Sequence, residues 1–248
     1  MLRGHATGQL LASYEPEREP VAVRNVQRSV ENALNHVVTT QILGVTPDVG
    51  AEANWRQVRR IWSRLPGDAT HRQAVKTAIA GQSMEFNEHN IEYGYTYNSA
   101  AIIPDGTPEP ESPDPIRIYQ PAARPGHPLP HAWIETSDGI RLSTLDLIQP
   151  SRFLLIAGED GDDWCSAAQK LAADTGLPLD GLRIGHADGD YLDPRSTWTR
   201  HRGHSPGGAV LVRPDRFIAW RSPDLTGDPA SDLQAALLSI LGRGSPTT

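Results

Sequence analysis

A stretch near the C-terminal end of the chain, residues 207–221, constrains the fold more than any other part of the sequence. Two short apolar runs, residues 209–212 and 217–220, stand on either side of an Arg-Pro-Asp-Arg segment. In that segment Pro214 holds φ at about −65°, which suits the second position of a tight turn, and Asp215 can accept hydrogen bonds from nearby backbone. Branched and aromatic residues in both runs favour a pleated, half-buried surface. The stretch therefore predicts a β-hairpin.

The composition limits the partners and the compartment that suit the chain. Its 248 residues can form one large domain or two of ordinary size. The net charge of −7 argues against nucleic acids and anionic membranes as partners, because both require a concentrated basic face. The single cysteine, Cys165, excludes an intrachain disulfide and fits a reducing compartment. With no signal-peptide pattern and no run of about 18 apolar residues, a soluble cytoplasmic protein is expected.

Hydrophobic periodicity predicts three helices in the N-terminal half. In the first, apolar residues recur at three- and four-residue spacing over residues 23–38, and Pro20 stands at the first helical position, where proline is tolerated. The second helix covers residues 55–65, with Asn54 as its N-cap. A third, weaker pattern covers residues 70–80. The N-terminal region is therefore expected to be mainly helical.

Three tyrosines mark a change of period after these helices. Tyr93, Tyr95 and Tyr97 alternate with polar residues, which predicts a strand from Ile91 onwards with one aromatic face. Such a face could line a pocket for an aromatic substrate. The alternative, which we favour, is that the tyrosines pack against the preceding helices.

A proline-rich passage, residues 104–130, holds nine of the 21 prolines. Because proline cannot donate to a regular ladder, this passage is expected to wrap a surface or to link two units in extended form. We place the domain boundary after it, near Glu135. Residues 1–135 are then helices with one strand and the wrap, and residues 136–248 are a mixed sheet flanked by helices. The expected fold class is α/β, with an α+β arrangement overall.

The second domain is predicted as strand, helix and strand, followed by the hairpin and a last helix. The first strand covers residues 152–157, and its helix is capped by Asp163 and closed by Gly176. The second strand covers residues 179–184, and Asp228 caps the last helix. Strands separated by a helix are expected to be parallel and the hairpin antiparallel, which makes a mixed sheet. This order of elements resembles the thioredoxin fold.

Cys165 lies where a thioredoxin-like domain would carry its redox centre. That centre needs two cysteines two residues apart at the start of the first helix, one of them activated as a thiolate. Here Ala168 stands in the place of the second cysteine. The lone thiol could still be reactive; the alternative, which we favour, is an incidental cysteine, because no Lys, Arg or His lies beside it in the sequence.

Other patterns of catalytic or metal-binding residues are weak. The pairs His127/His131 and His201/His204 have a spacing seen among metal ligands, but they lack a helical HExxH pattern or companion carboxylates. The sequence has no G-x-G-x-x-G, no P-loop and no G-x-S-x-G. The residues alone therefore assemble no catalytic, cofactor or metal site.

Several short segments, taken in their order along the chain, carry a family resemblance. They are Tyr14–Ala22, Tyr93–Ser99, Pro104–Gly106, Pro125–Trp133, Ser143–Leu147, Gly207–Arg213 and Trp220–Arg221. Together they resemble FAD-dependent aromatic hydroxylases of the phenol hydroxylase, dichlorophenol monooxygenase and polyketide hydroxylase type. The last three segments are similar to the thioredoxin-like C-terminal domain of those enzymes. The resemblance runs over residues 10–242.

The resemblance implies FAD and NADPH as the cofactors of a complete enzyme that hydroxylates an electron-rich phenolic ring. The flavin-binding motifs of the family lie upstream of the segment at Tyr14 and are missing here. Pro128 also replaces the arginine of the family's Arg-x-Pro-His motif. The chain is therefore expected to be the C-terminal portion of such an enzyme, to hold no cofactor alone and to be inactive alone.

Three functions stay open. The first is a truncated or split aromatic monooxygenase, whose flavin domain is a separate chain or has been lost. The second is a stand-alone thioredoxin-like module for binding or dimerisation, and the third is a redox protein acting through Cys165. The residues expected to serve the substrate side or an interface are Tyr93, Tyr95, Tyr97, His131 and Trp133. On the first reading, exposed apolar residues of the helix at 23–38 mark where the flavin domain docks.

Overall fold

A computed structural model describes residues 4–243 of the protein. Their contacts divide the chain into two compact units. Unit 1 contains residues 4–19, 93–113 and 119–243, and unit 2 contains residues 20–92 and 114–118. The predicted domains, 1–135 and 136–248, follow the order of the elements and stay a prediction.

Unit 2 is helical, as predicted. The helices of the N-terminal half are α1 (Tyr14–Leu43), α2 (Ala51–Arg59), α3 (Ala69–Gly81) and α4 (His89–Tyr93). The prediction that Pro20 opens the first helix was wrong, because α1 already begins at Tyr14. Its first turn carries Glu15 and Glu17, and carboxylates there suit the positive end of the helix dipole. The third predicted helix is confirmed as α3.

The predicted limits of the second helix were wrong. Gly50, not Asn54, is the N-cap of α2, and the helix ends at Arg59. The amide of Asn54 instead bridges the backbone of Thr46, accepting from its N–H at 3.0 Å and donating to its carbonyl at 2.7 Å. A side chain used in this way cannot cap the helix that contains it.

The predicted strand at the tyrosines was also wrong. Residues 89–93 are helical, and the following residues belong to no strand. The N–H of Tyr97 donates to the carbonyl of Gly126 at 2.8 Å, but no continuous ladder develops around that bond. The alternation of aromatic and polar residues predicted neither backbone pairing nor a common buried face, because Tyr97 is buried and Tyr93 is exposed.

Unit 1 is built on a mixed seven-stranded sheet, which confirms the predicted fold class. The strands are β1 (Trp133–Glu135), β2 (Arg141–Ser143), β3 (Phe153–Ala157), β4 (Leu179–Gly185), β5 (Tyr191–Leu192), β6 (Ala209–Val212) and β7 (Ile218–Ser222). Their spatial order is β2-β1-β5-β4-β3-β6-β7. Strand β3 runs parallel to β4 and antiparallel to β6. The predicted hairpin is confirmed as the antiparallel pair β6 and β7.

Three helices accompany this sheet: α5 (Asp162–Thr175), α6 (Thr197–His201) and α7 (Pro229–Ile240). The N-cap of α5 is Gly161 rather than the predicted Asp163, which lies in the first turn. Gly176 closes α5 as predicted, with φ of 69°, a conformation that glycine adopts without strain. Asp228 caps α7 as predicted, because its carboxylate accepts from the N–H of Ser231 at 3.0 Å.

The core of unit 1 is built on the central strands of the sheet. All five residues of β3 and all four of β6 are buried. Trp164 of α5 is also buried, donates from its indole N–H to the carbonyl of Gly207 at 3.0 Å and meets Trp220 edge-on at 5.3 Å. Because successive side chains of a strand point to opposite faces, the full burial of β3 and β6 shows that both faces of the sheet are covered.

The proline-rich passage lies along the hairpin. The N–H of Gly126 donates to Ile218 at 2.8 Å, and the N–H of Leu129 donates to Arg216 at the same distance. Residues 121–130 contain no helix and no strand of the sheet, so the predicted extended wrap is observed there. No helix in the described part of the chain combines the length and the apolar character needed to span a membrane.

Candidate functional site

The predicted tyrosine face separates into two places. Tyr97 stacks on Phe217 of the hairpin segment with ring centroids 3.9 Å apart, and Tyr95 lies 5.5 Å from the same ring. Tyr93 instead lies 6.4 Å from Tyr119. Tyr97 is only 3% exposed, and burial raises the pKa of its hydroxyl to about 12. A phenol so placed holds its proton at neutral pH, which suits packing better than proton transfer.

Two arginines and a glutamate surround the buried Tyr97 ring. The guanidinium carbons of Arg18 and Arg213 lie 5.2 and 5.8 Å from the ring centroid. Arg213 donates two hydrogen bonds to Glu17, at 2.6 and 2.9 Å, and Ser99 donates to Glu17 at 2.6 Å. Burial would lower the pKa of Arg213, but the hydrogen bonds that it donates to Glu17 and its carboxylate neighbours raise that pKa above its ordinary value. This cluster joins α1 to the hairpin.

A second ion pair joins two more of the segments singled out in the sequence. Arg221 of β7 donates from Nε to Asp105 at 2.7 Å and from Nη2 to the hydroxyl of Thr107 at 2.9 Å. Its Nη1 donates to the carbonyl of Ala123 at 3.1 Å. Burial would raise the pKa of Asp105, but hydrogen bonds from Thr107 and the charge of Arg221 hold it below the usual range. The segments that carry the resemblance thus bind one another within unit 1.

His131 and Trp133 lie together at the outer part of the sheet. His131 Nδ1 is 2.7 Å from the hydroxyl of Ser143, and its ring meets Trp133 edge-on at 4.9 Å. The guanidinium carbon of Arg141 lies over the Trp133 ring, 4.5 Å from its centroid. Trp133 is 44% exposed, so the group presents an aromatic and cationic surface rather than an enclosed pocket. It suits contact with another molecule better than chemistry.

Cys165 opens into a polar pocket of about 500 Å³ beside α5 and β4. The pocket is also lined by Asp162, Asp190 and Arg183. Burial, and then the nearby carboxylates, raise the pKa of the Cys165 thiol to about 11. The sulfur is therefore a protonated thiol at neutral pH, a poor nucleophile and a poor metal ligand. Within residues 4–243, no three His, Cys, Asp or Glu side chains meet in a way that could hold a metal ion.

The turn between β3 and α5 tests whether the described chain can hold the diphosphate of FAD. A diphosphate binds at the glycine-rich turn from a parallel strand into a helix, where N–H groups point at it. This turn carries Glu159 and Asp160, and Asp162 and Asp163 follow in the helix, so it repels an anion. A Cβ at Gly158 would lie 2.3 Å from the carbonyl of Pro206, so protein fills the space. The turn does not fit FAD.

The sequence did not indicate the surroundings of two polar residues, His204 and Asp193. His204 is largely buried, and this lowers the pKa of its ring to about 4; its Nδ1 lies 2.8 Å from the carbonyl of Ser205. Asp193 is fully buried and accepts from the N–H groups of Thr197 and Thr199 at 2.9 Å each. Nothing local in the sequence indicated either of these surroundings.

The structure therefore brings some predicted site residues together and separates others. Tyr95 joins Tyr97, and His131 joins Trp133, whereas Tyr93 and Cys165 lie in other surroundings. The described residues of unit 1 form connecting ion pairs and an exposed aromatic surface.

The family model for the C-terminal region of aromatic-ring hydroxylases matches residues 122–244. The 2,4-dichlorophenol 6-monooxygenase of Delftia acidovorans is 37% identical over 242 residues, which are 97% of this chain and 41% of that enzyme. The phenol 2-monooxygenase of Pseudomonas sp. (strain EST1001) is 33% identical over 97% of this chain and 39% of that enzyme. The match falls in the C-terminal part of these relatives.

Solved structures give the same result. The flavin-dependent monooxygenase PieE, solved with FAD and substrate, matches 98% of this chain with a TM-score of 0.84 and 37% identity, and 41% of PieE is covered. Aklavinone-11 hydroxylase, solved with FAD and aklavinone, matches 98% of this chain with a TM-score of 0.61 and 28% identity, and 37% of it is covered. The chain spans about two fifths of the length of the relatives it matches. Through residues 122–244, the chain belongs to the family of aromatic-ring hydroxylase C-terminal domains.

Proposed function

We propose that the chain is the C-terminal portion of a FAD- and NAD(P)H-dependent aromatic-ring monooxygenase that hydroxylates a phenolic or polyketide substrate. One observation carries the proposal: almost the whole chain matches the dichlorophenol monooxygenase in sequence, and almost the whole chain matches PieE in structure. A match confined to one small domain would not distinguish an enzyme portion from a reused module.

We propose further that residues 1–248 alone hold no flavin and hydroxylate nothing. The acidic β3–α5 turn supports this, because carboxylates at a helix N-terminus oppose a diphosphate. The binding of FAD and NAD(P)H would then require the flavin-binding region, either on the same polypeptide or as a separate chain. The role of this portion is to complete the protein around the reacting ring. A cytoplasmic location, predicted from the single cysteine, stays a prediction.

The alternative is a thioredoxin-like module for binding or dimerisation. The strand order β4-β3-β6-β7, with β3 and β4 parallel and α5 between them, supports a thioredoxin-like interpretation of this part of unit 1. The exposed group of His131, Trp133 and Arg141 supplies a surface for such contacts. The protonated state of Cys165 argues against the third function, thiol-dependent redox chemistry.

A flavin titration of the purified chain tests the proposal. We expect no change in the visible absorbance of FAD on adding the chain alone. We expect phenol-dependent NADPH oxidation once the flavin-binding region of a relative is supplied with it. Flavin bound tightly by residues 1–248 alone would contradict the proposed division of labour. A flavin-loaded complex that oxidises NADPH without ever hydroxylating a phenol or polyketide would contradict the proposed reaction.

A further inference from the structure

Unit 2 buries very little of its own apolar surface. Among its residues, 20–92 and 114–118, Val75 is the only buried hydrophobic side chain and Glu88 is the only buried polar one. Units of this size normally become stable by enclosing a cluster of apolar side chains. The exposed apolar side chains of unit 2 include Trp55, Trp62 and Phe86, which are between 55% and 80% exposed. Unit 2 thus exposes apolar side chains of the kind that a protein normally buries against a partner.

In helix α1 the polar side, rather than the apolar side, faces the rest of unit 2. Arg24 Nη2 donates to the carbonyl of Ile91 at 2.8 Å, and Arg28 Nε donates to Glu88 at 2.6 Å. Asn32 Nδ2 donates to the same carboxylate at 3.0 Å. A helix packed on its own domain normally turns its apolar side inward. Here the inward positions, spaced four residues apart, are polar.

The outward side of α1 is apolar. The six residues of this apolar stripe are 48% to 65% exposed. They are Val23, Val26, Val30, Leu34, Val37 and Val38. Successive members are separated by three or four residues, except for the last two, so at 3.6 residues per turn they lie on one side of the helix over four turns. A contiguous exposed apolar surface of this kind marks an interaction site.

A groove between α1 and α3 continues the apolar stripe. It has a volume of about 760 Å³, and Val38 belongs to both the groove and the stripe. Ile42, Ala74 and Ala78 also line it, and none of its lining residues carries a charge. The stripe has no charged residue either. Without cations, this surface does not suit an anionic membrane, whereas an apolar protein surface with a protruding side chain fits it.

The comparisons indicate which protein surface this is. The relatives contain about three fifths of their length outside the match, and the match falls in their C-terminal part. In those enzymes the unmatched region therefore joins the segment that corresponds to the start of this chain, where α1 lies. A region of that size is large enough to cover four helical turns and the groove.

We propose that the apolar stripe and the groove of unit 2 dock the flavin-binding region of an aromatic-ring monooxygenase. This inference rests on the proposed function and adds the surface through which the two portions meet. It assigns α1 a double role, with its polar side holding unit 2 together and its apolar side completing a core shared with the flavin-binding region.

Binding between separate polypeptides tests the docking surface. The probe is the region of the Delftia acidovorans enzyme that precedes its match to this chain, produced with FAD and together with the full 248-residue chain. Two variants, Val30→Glu and Leu34→Glu, each place one charge in the apolar stripe. Asn25→Glu is the matched control, because it adds the same charge to an exposed position of α1 outside the stripe. Circular dichroism checks that all four chains fold alike.

We expect the unchanged chain and Asn25→Glu to bind the flavin-loaded region equally, and each stripe variant to bind at least about tenfold more weakly. Absence of binding by the unchanged chain, or equal binding by all four chains, would overturn the docking surface. The chain alone is also measured by sedimentation. A dimer that Val30→Glu converts to monomers would assign the stripe to a second copy and likewise overturn the proposal.

The same complex separates this inference from the proposed function. Stripe-dependent binding without phenol-dependent NADPH oxidation would support the docking surface and contradict the proposed reaction. Hydroxylation by a complex in which all four chains are equally active and equally bound would support the reaction and contradict the docking surface.

Discussion

Arg213 donates two hydrogen bonds to Glu17, from Nη1 at 2.6 Å and from Nη2 at 2.9 Å, across 196 positions of sequence. Both side chains are almost excluded from solvent. A guanidinium and a carboxylate match in this bidentate geometry, which fixes orientation as well as distance. The pair therefore attaches the first turn of α1 to the turn of the hairpin, and its two residues belong to separate segments of the family resemblance.

Removing one partner of this pair is expected to destabilise unit 1. In Glu17→Ala, Arg213 keeps Asp215 at 2.6 Å but loses its buried carboxylate. We expect the free energy of unfolding to fall by about 3 kcal/mol, because breaking a buried pair leaves a charge without compensation. Urea unfolding followed by tryptophan fluorescence measures it. Glu15→Ala, at an exposed position two residues away, is the control and is expected to change little. Equal stability of the two variants would contradict the structural role of the pair.

His204 is expected to make the protein less stable in mild acid. Burial lowers the pKa of its ring to about 4 in the folded state, against about 6.5 for a solvated histidine. The unfolded chain therefore takes up the proton first. His204 does not lower the free energy of unfolding above about pH 6.5, and it lowers that free energy increasingly as the pH falls to about 4. The total loss is about 3 kcal/mol.

Urea unfolding at a series of pH values measures this dependence. His204→Asn retains a group near the Ser205 carbonyl but cannot titrate, so it should remove this part of the slope. Carboxylates with lowered pKa, such as Asp105, titrate in both proteins and cancel in the comparison. Parallel stability curves for the two proteins between pH 6.5 and pH 4 would show that His204 is solvated.

We expect the ring of Tyr97, but not its hydroxyl, to be required for the stability of the fold. The hydroxyl is buried without a hydrogen-bond partner among the described residues. The ring stacks on Phe217 at 3.9 Å. Tyr97→Phe should leave the free energy of unfolding unchanged or raise it slightly, since an unpaired buried polar group is costly. Tyr97→Ala should lower it by about 3 to 5 kcal/mol, because it leaves a cavity. Thermal unfolding of both variants tests the contrast, and a large loss in Tyr97→Phe would contradict it.

Cys165 is expected to react slowly with alkylating reagents. Its pKa of about 11 lies about two units above that of a free thiol, so its thiolate fraction at neutral pH is about a hundredfold smaller. Iodoacetamide labelling followed by mass spectrometry measures the rate, and the single cysteine makes the site unambiguous. The chain unfolded in urea should react at the ordinary rate. Fast labelling of the folded chain would contradict this expectation and would favour a redox function through Cys165.

Several predictions from the sequence failed at the boundaries of elements. The start of α1 was placed at Pro20, but the contact between Glu17 and Arg213 accompanies a helix that begins at Tyr14. The strand around Tyr97 was predicted from alternation alone. The structure shows that this segment meets the hairpin through side chains and an isolated backbone bond rather than through a ladder. At the tyrosines, long-range contacts with the hairpin replaced the strand that the local pattern predicted.

The candidate site was predictable only in part. The aromatic character of Tyr95, Tyr97, His131 and Trp133 was visible in the sequence, but their separation into a buried cluster and an exposed surface was not. The low reactivity of Cys165 was favoured from its neighbours in sequence, and the raised pKa agrees with that. The pairing of Glu17 with Arg213 could not be read, because nothing in a sequence states which of many opposite charges meet.

Local signals were enough for the hairpin, the β3–α5–β4 unit and the caps Gly176 and Asp228, because turn geometry, capping and periodicity act over a few residues. The family was indicated by the resemblance of short segments along the chain. Three properties required the folded chain: the partner of Glu17, the burial of His204 and the outward direction of the apolar stripe on α1. Each depends on groups that are remote in sequence and adjacent in space. The periodicity of α1 shows that one side is apolar, but only its packing shows that this side faces outward.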